Sequence, residues 1–534
     1  MTARETILNS VERFGDKVFL VDANTGREIT YREFHQQALL LAVGLRVRGV
    51  RQGDRVGVMM PNSCELAALY FACIYLGAVI VPINPASSKS DVHFIVTSCK
   101  PALVVADGAH AAAVKEFYQN VLVLRTAESG KAEANELDQL GLNPLDHGVD
   151  LVPFEASEPD DLVVIMYTSG TSSKPKGLAH KLERMLRNAA AFAAAQGLDH
   201  DSRFYLTLSM AYMGGFYNLL VLPFLCGASV VVDHVFDARS SLNFWDKARN
   251  NKVNTLWMAP TVLSILLRMD RGRVGEEFCR SSVRHAFVGF APLPLKVKNE
   301  FETRYGVRLI ENYGLSETLF VTARSRDTLT AAGYVGEALP GIELRVVDDE
   351  GKSLSGEDGE VQILTPDLMA GYLDSEGHLQ QKDSAAWFST GDVGHLDNQG
   401  SLSITGRKKD LIIRGGVNIS PAAIEEVLAQ ISGVSEVAVV SVPHELYGED
   451  VVAVLRLDAG VDLDAILDTV IAHAKRNLAQ HQQPARYIAI DDLPRTANGK
   501  VQKARIRELV AEKLQLRSTA TARRPVVESV SARN

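Results

Sequence analysis

Residues 162–196 read LVVIMYTSGTSSKPKGLAHKLERMLRNAAAFAAAQ. Residues 162–167 form a short apolar run with β-branched members, the composition of a fully buried strand. The run leads into Tyr167-Thr-Ser-Gly-Thr-Ser-Ser-Lys-Pro-Lys-Gly177, a loop of small hydroxyl residues, glycine and two lysines. Residues 181–196 then read as a helix. Backbone N–H groups, hydroxyls and ammonium groups gathered after a buried strand can converge on a polyphosphate. The spacing departs from G-x-x-x-x-G-K-[ST], which sets aside the ordinary P-loop hydrolases. By composition alone the same loop also suits an idle solvent turn, so its meaning depends on what else the chain carries.

Outward from this stretch the alternation continues from Thr30 to about Ile310. Residues 55–60 read as a strand, 64–76 as a helix closed by Gly77, and 78–82 as the next strand. Such order favours an α/β body with largely parallel, buried sheets. Two charge-free stretches, 66–84 and 206–232, are long enough to span a bilayer. Gly77 and Pro82 interrupt the first; Gly214, Gly215, Pro223 and Gly227 interrupt the second. Each therefore reads as a buried helix followed by a buried strand. From Tyr334 to Thr405 short strands and turn residues suggest a small β unit on the body. Beyond Gly406 the pattern shifts again. Ser420-Pro421 opens a helix, strands are expected at 435–442, 450–457 and 485–490, and helices at 462–478 and 503–514. The division expected is a body over 1–408, a small α+β domain over 409–516 and a frayed tail over 517–534.

Composition bounds the class. The 534 residues give roughly three or four domain-sized units, enough to bury large cores without staples. Apolar content of 46% and charged content of 23% are those of a globular protein. A net charge of −9 argues against a nucleic-acid coat. Five scattered cysteines without C-x-x-C, and a charged N-terminus without an apolar core, point to a reduced, cytoplasmic protein.

Further pieces follow in order: Tyr313-Gly-Leu-Ser-Glu-Thr318, Ser389-Thr-Gly-Asp392, Gly406-Arg-Lys-Lys-Asp410, Arg414-Gly-Gly-Val-Asn-Ile419 and Pro494-Arg-Thr-Ala-Asn-Gly-Lys500. Each alone fits a solvated turn. As an ordered set they closely resemble the adenylate-forming superfamily, which contains acyl- and aryl-CoA synthetases, adenylation domains of peptide synthetases and firefly luciferases. The resemblance runs from about Thr30 to Glu512. It implies a ligase in which a carboxylate attacks the α-phosphorus of ATP, giving acyl-AMP and pyrophosphate, after which a thiol takes the acyl group. Positioning and charge neutralisation must supply most of the barrier reduction, because two anions have to meet.

The resemblance also implies roles. Thr168, Ser169, Gly170, Thr171, Ser172, Ser173, Lys174 and Lys176 would hold the β- and γ-phosphates. Ser316 stands where the family has a Thr contacting the α-phosphate, and Glu317 where it binds Mg²⁺, a hard cation suited to carboxylate and phosphate oxygens. Tyr313, preceded by Asn312 and followed by Gly314, would stack on adenine opposite Gly289, Ala291 and Pro292. Asp392 and Arg407 would meet the ribose. Lys500 would bridge carboxylate and α-phosphate. Lys409 matches the hinge of a small domain that rotates between half-reactions, and Gly415-Gly416 would let a pantetheine arm pass; by residue type alone that pair is simply a hairpin turn.

The acyl site would be lined by Tyr212, Met213, Gly214, Gly215, Phe216, Gly289 and Leu315, with Met210 nearby; the glycines would leave room for a chain or ring. No acidic residue lies between Leu206 and Val232 to pair an ammonium group, which disfavours free α-amino acids. Fatty and aryl acids both fit. The acceptor implied is CoA or the phosphopantetheine of a carrier protein; no carrier domain or large insertion before the hinge is seen, which favours CoA. A luciferase-like oxygenase and a silent nucleotide-binding scaffold are the alternatives, and Lys500 argues against the scaffold. The chain is expected as a monomer or homodimer with no transmembrane segment. Two positions depart from the family pattern: Ser173 replaces a glycine and Ile413 a lysine. Ser173 removes a freely positive φ. Ser173→Gly is therefore expected to shift the KM for ATP in steady-state kinetics.

Overall fold

A computed structural model describes residues 3–124, 161–168, 175–323, 333–495 and 501–515. The loop residues Ser169, Gly170, Thr171, Ser172, Ser173 and Lys174, the side chain of Thr168, and Lys500 lie outside the described residues, as does the expected tail.

Two α/β sheets face each other. One has strands ordered Leu309–Glu311, His285–Val288, Thr255–Met258, Arg203–Leu206, Ser229–Val232, Val18–Asp22 and Glu28–Thr30; all but the last run parallel. The other has parallel strands Leu162–Thr168, Val79–Pro82, Arg55–Met59, Leu103–Ala106 and Val121–Val123. Side chains on a strand alternate between faces, and the cores follow that rule. Val58, Leu103 and Met166 join the central core from one sheet, with Trp257 and Phe287 from the other. Their neighbours Met59 and Val104, and Leu256 and Met258, pack on the two outer faces. The helix Cys64–Leu76 lies in the central core with every residue buried except Glu65 and Leu76. Its all-round apolar surface is that of an enclosed helix. Gly77, at φ 65°, ends it in the left-handed region. Among the described residues no helix is long and apolar enough to cross a membrane.

The second sheet corrects one expectation. The Ser/Thr/Lys loop does not lead directly into a helix. Lys176–Lys181 first returns antiparallel to Leu162–Thr168, and the helix begins at Leu182. The two strands that flank the loop in sequence thus pair with each other, and the helix starts one strand later than expected. The edge is extended antiparallel by Gly371–Leu373 and Leu379–Gln381, which come from the region read as a separate β unit. The rest of that region, joined by Thr322–Ala323, forms a seven-stranded antiparallel sheet.

The C-terminal part is α+β. Val434–His444, Gly448–Leu457 and Arg486–Ala489 form its sheet centre, and Pro421–Ala429, Leu463–Asn477 and Lys503–Gln515 are its helices. It has cores of its own, with Ile424, Val439 and Val470 in one and Val440, Val454 and Ile506 in the other. Ser420 does not cap its helix; its Oγ donates to Thr405 O at 2.7 Å, tying the helix start to the preceding sheet. Glu426 reaches the body, where its Oε1 accepts the N–H of Leu295 at 3.1 Å, at the start of the helix Leu295–Tyr305. Burial raises its carboxyl above the usual range.

That body helix is fastened by Lys298, whose Nζ lies 2.7 Å from Glu311 Oε1 with both side chains below a tenth exposed. Removing one partner of a buried pair strands the other charge, at a cost of about 3–5 kcal/mol. Lys298→Ala should therefore lower the melting temperature of the body clearly, whereas Arg505→Ala, which breaks an exposed pair with Glu508, should leave it unmoved. A thermal-shift comparison checks both.

Candidate active site

The loops at the C-terminal ends of Thr255–Met258, His285–Val288 and Leu309–Glu311 lie side by side, because these strands are adjacent and parallel. Ligands of open α/β sheets bind at such edges. After the last strand the chain makes a tight hairpin, Gly314–Leu315 against Leu319–Phe320, with Ser316 and Glu317 at its tip. Gly314 is required there: a Cβ would collide with Leu319 O. Thr318 is fully buried, and its Oγ1 accepts the N–H of Leu315 at 3.3 Å.

The tip is gripped from the strand Lys176–Lys181 and from the segment 369–372. His180 on Lys176–Lys181 donates from Nε2 to Ser316 O at 2.6 Å. Met369 N donates to Glu317 O at 2.8 Å, and Tyr372 OH donates to Glu317 Oε1 at 2.7 Å. Burial and the Glu317 charge raise the Tyr372 phenol, so it stays a donor. Lys176 Nζ stands 6.0 Å above the Tyr372 ring. The helix Leu182–Gln196 supports both sides. Asn188 bonds the N–H and C=O of Phe320 at 3.0 and 2.9 Å, while Arg184 and Arg187 hold Leu368 O and Asp367. Sequence reading missed His180, Asn188 and Tyr372. A polar residue inside an apolar period was the one signal, and it marks Asn188 only.

On the other flank Tyr313 OH donates to Asp392 Oδ2 at 2.6 Å, and Arg407 Nε lies 2.8 Å from Asp392 Oδ1. Asp392 and Arg407 are cross-strand partners, so the ladder itself sets this pair. The Asp392 carboxylate is buried and Arg407 half-exposed. Burial, then Asp392, holds the Tyr313 phenol protonated. Asn312 is half-buried, with its Oδ1 enclosed and unpartnered. Gly289 is buried, while Ala291 and Pro292 are exposed. Between them Phe290 adopts φ 74°, uncommon for a residue with a Cβ.

The acyl expectations divide. Tyr212, Met213 and Leu315 are half-buried, and Tyr212 OH accepts from Asn84 Nδ2 at 2.9 Å. Met210 and Phe216 are fully enclosed core residues. Gly214 and Gly215 do not leave empty room. A Cβ on Gly214 would lie 2.9 Å from the Phe290 ring, and one on Gly215 would run into Ser209 O. Both glycines serve close packing at the start of the π-helical segment Gly214–Val221. Gly289 differs, since its nearest neighbours would be Asn312 Oδ1 at 3.5 Å and Trp257 Nε1 at 3.7 Å.

In the C-terminal part Lys409 sits in the short turn Lys408–Asp410, its ammonium lowered by burial and by Arg407. Gly415 and Gly416, at φ 61° and 83°, form the two-residue turn between Ile412–Arg414 and Val417–Ile419. No atom lies within 4 Å of where a Gly416 Cβ would be. Ile413, in place of the family's lysine, is exposed.

The family described as AMP-binding enzyme matches residues 7–373, and its C-terminal domain matches residues 423–500. The chain belongs to this family. Among family relatives, an indoleacetate–CoA ligase from Aromatoleum aromaticum is 31% identical over 92% of this chain and 95% of its own length. A medium-chain fatty-acid–CoA ligase from Escherichia coli is 28% identical over 93% and 88%. The crystal structure of ATP-bound MatB from Rhodopseudomonas palustris superposes with a TM-score of 0.84 at 28% identity, covering 96% of this chain and all of that one.

His180 offers a test of the grip on the tip. Burial lowers its imidazole from 6.5 to about 4, so the folded state holds it neutral. Between those values the unfolded chain binds the extra proton, and stability falls as pH drops from 6.5 toward 4. His180→Gln keeps an N–H for Ser316 O but cannot titrate. Wild type should lose on the order of 2 kcal/mol more than this variant over that window, read as the difference in their melting temperatures against pH.

Proposed function

We propose that the chain is an ATP-dependent acid–thiol ligase that converts a carboxylic acid to acyl-AMP and pyrophosphate, then to acyl-CoA. The observation that carries this reading is the meeting of two polar groups across one hairpin. On one side Tyr372 bonds the Glu317 carboxylate with Lys176 above its ring and His180 holds the Ser316 carbonyl, and on the other stands Tyr313 with Asp392 and Arg407. A nucleotide laid between them would have its phosphates toward the loop and its ribose toward Asp392. The enclosed Oδ1 of Asn312 fits an amino group of the base.

Asp392 is already engaged by Tyr313 and Arg407. A carboxylate oxygen has lone pairs to spare, so ribose hydroxyls can bind without displacing Tyr313. Among the described residues no set of three or more His, Cys, Asp and Glu is arranged to hold a metal. Glu317 as a single carboxylate suits Mg²⁺, which takes most ligands from phosphates and water; when bound, that ion neutralises phosphate charge. The acyl-adenylate forms when the substrate carboxylate oxygen attacks the α-phosphorus and pyrophosphate leaves. Lys500 supplies the positive charge that lets the two anions approach. The thiol sulfur then attacks the acyl carbonyl and AMP leaves.

The C-terminal part, beginning at Lys409, turns between these steps, withdrawing Lys500 and bringing the Gly415-Gly416 turn to the thiol. Relatives that ligate indoleacetate and medium-chain fatty acids support an aryl or fatty acid and CoA as the acceptor. Adding acid and ATP should release pyrophosphate, and CoA should then release AMP and thioester. Lys500→Ala should abolish acyl-AMP formation from ATP yet spare thioester formation from supplied acyl-AMP. Equal loss of both steps would remove the case for two separate catalytic faces.

A further inference from the structure

Glu317 is held at both ends by one short segment. Met369 N donates to its backbone O at 2.8 Å, and Tyr372 OH donates to its Oε1 at 2.7 Å. That segment is itself fixed. Leu368 and Met369 are fully buried and pack with Leu178, and the Tyr372 ring lies against the same cluster. Tyr372 stands opposite Leu178 on one side and Gln380 on the other, so the middle strand of a ladder sets its place. Gly371 lets the strands close up there, since a Cβ would run into Gln380 O. Lys176 Nζ stands 6.0 Å above the phenol ring. The carboxylate is therefore not free to swing. Its Oε1 is turned to the phenol, while among the described residues no donor is bonded to Oε2.

We propose that Tyr372 is a positioning residue that makes Glu317 a one-oxygen ligand and thereby selects Mg²⁺ over Ca²⁺ in the nucleotide complex. This rests on the acid–thiol ligase reading above, in which Glu317 meets the metal of the bound nucleotide. The two cations differ in what they ask of a carboxylate. Mg²⁺ demands near-octahedral geometry at about 2.0–2.1 Å and takes single oxygens from carboxylate, phosphate and water. Ca²⁺ is larger, takes about six to eight oxygens, and can use both oxygens of one carboxylate. A carboxylate whose Oε1 keeps the phenol proton offers one oxygen only. To offer both it must give up a hydrogen bond to a charged group, which costs about ten- to a hundredfold in affinity. Nor is there a ring of acids to make up the count: among the described residues no three or more His, Cys, Asp and Glu are grouped to hold a metal.

The test reads binding rather than turnover. Full-length protein without any carboxylic acid is titrated with ATP by calorimetry, in saturating Mg²⁺ and again in saturating Ca²⁺. Wild type should bind MgATP at least about tenfold more tightly than CaATP. In Tyr372→Phe, which keeps the ring and loses the hydroxyl, that ratio should fall toward one. On a Glu317→Gln background the same change should leave the ratio where it is, because the hydroxyl acts through the carboxylate; a shift there overturns the inference. A wild type that binds both complexes equally overturns it too, whether or not the variant folds. So does a Tyr372→Phe protein in which both affinities change by the same factor, since the hydroxyl would then only brace the hairpin. Pyrophosphate release on adding an acid in Mg²⁺ reads the ligase function separately, and it can hold while the inference fails. No binding of MgATP, together with no pyrophosphate release from any acid, overturns both.

Discussion

Everything at the site depends on how the hairpin tip Ser316-Glu317 is held. A two-residue ladder cannot fix it alone, because so short a hairpin is marginal in water. It is held by its backbone carbonyls. Ser316 O takes the proton of His180, and Glu317 O that of Met369. Those two donors come from the phosphate hairpin and from the segment that extends its sheet. Glu317 and the strand Lys176–Lys181 are therefore parts of one hydrogen-bonded assembly. Asn188 closes it from behind by satisfying both backbone groups of Phe320.

This explains an otherwise odd topology. The strand Gly371–Leu373 lies in sequence among the short strands of the antiparallel unit but pairs with Lys176–Lys181. By leaving its neighbours it brings Tyr372 over to the Glu317 carboxylate. The aromatic stack of Trp257, Phe192, Phe320 and Tyr217 continues the same assembly inward. The hairpin that carries Ser316 and Glu317 and the segment Gly214–Val221 thus share one packed wall.

Much of this was legible in the sequence where the signal is local. Helix 64–76, with Gly77 behind it, and the order of elements from Ser420 to the last helix follow from periodicity and capping residues that act within a few positions. Strand Lys176–Lys181 was not legible. Its Leu178 and Ala179 are buried through pairing with residues nearly two hundred positions away, and the strong helical period starting at Leu182 masks its end. His180 carries no local mark of its burial, because its partner is a carbonyl from another loop. Gly214 and Gly215 misled for the same reason: a glycine in sequence does not say whether the space it leaves faces substrate or, as here, Phe290 and Ser209.

One contact joins the C-terminal part to the wall of the cleft in a revealing way. The first N–H groups of any helix lack partners within it. For Leu295–Tyr305 one of them is satisfied by a carboxylate borrowed from the other half of the molecule, Glu426. Water can replace such a cap at a cost of about 1 kcal/mol. The contact therefore favours the observed orientation of the two halves by no more than about that amount, a latch far weaker than the cores on either side of it.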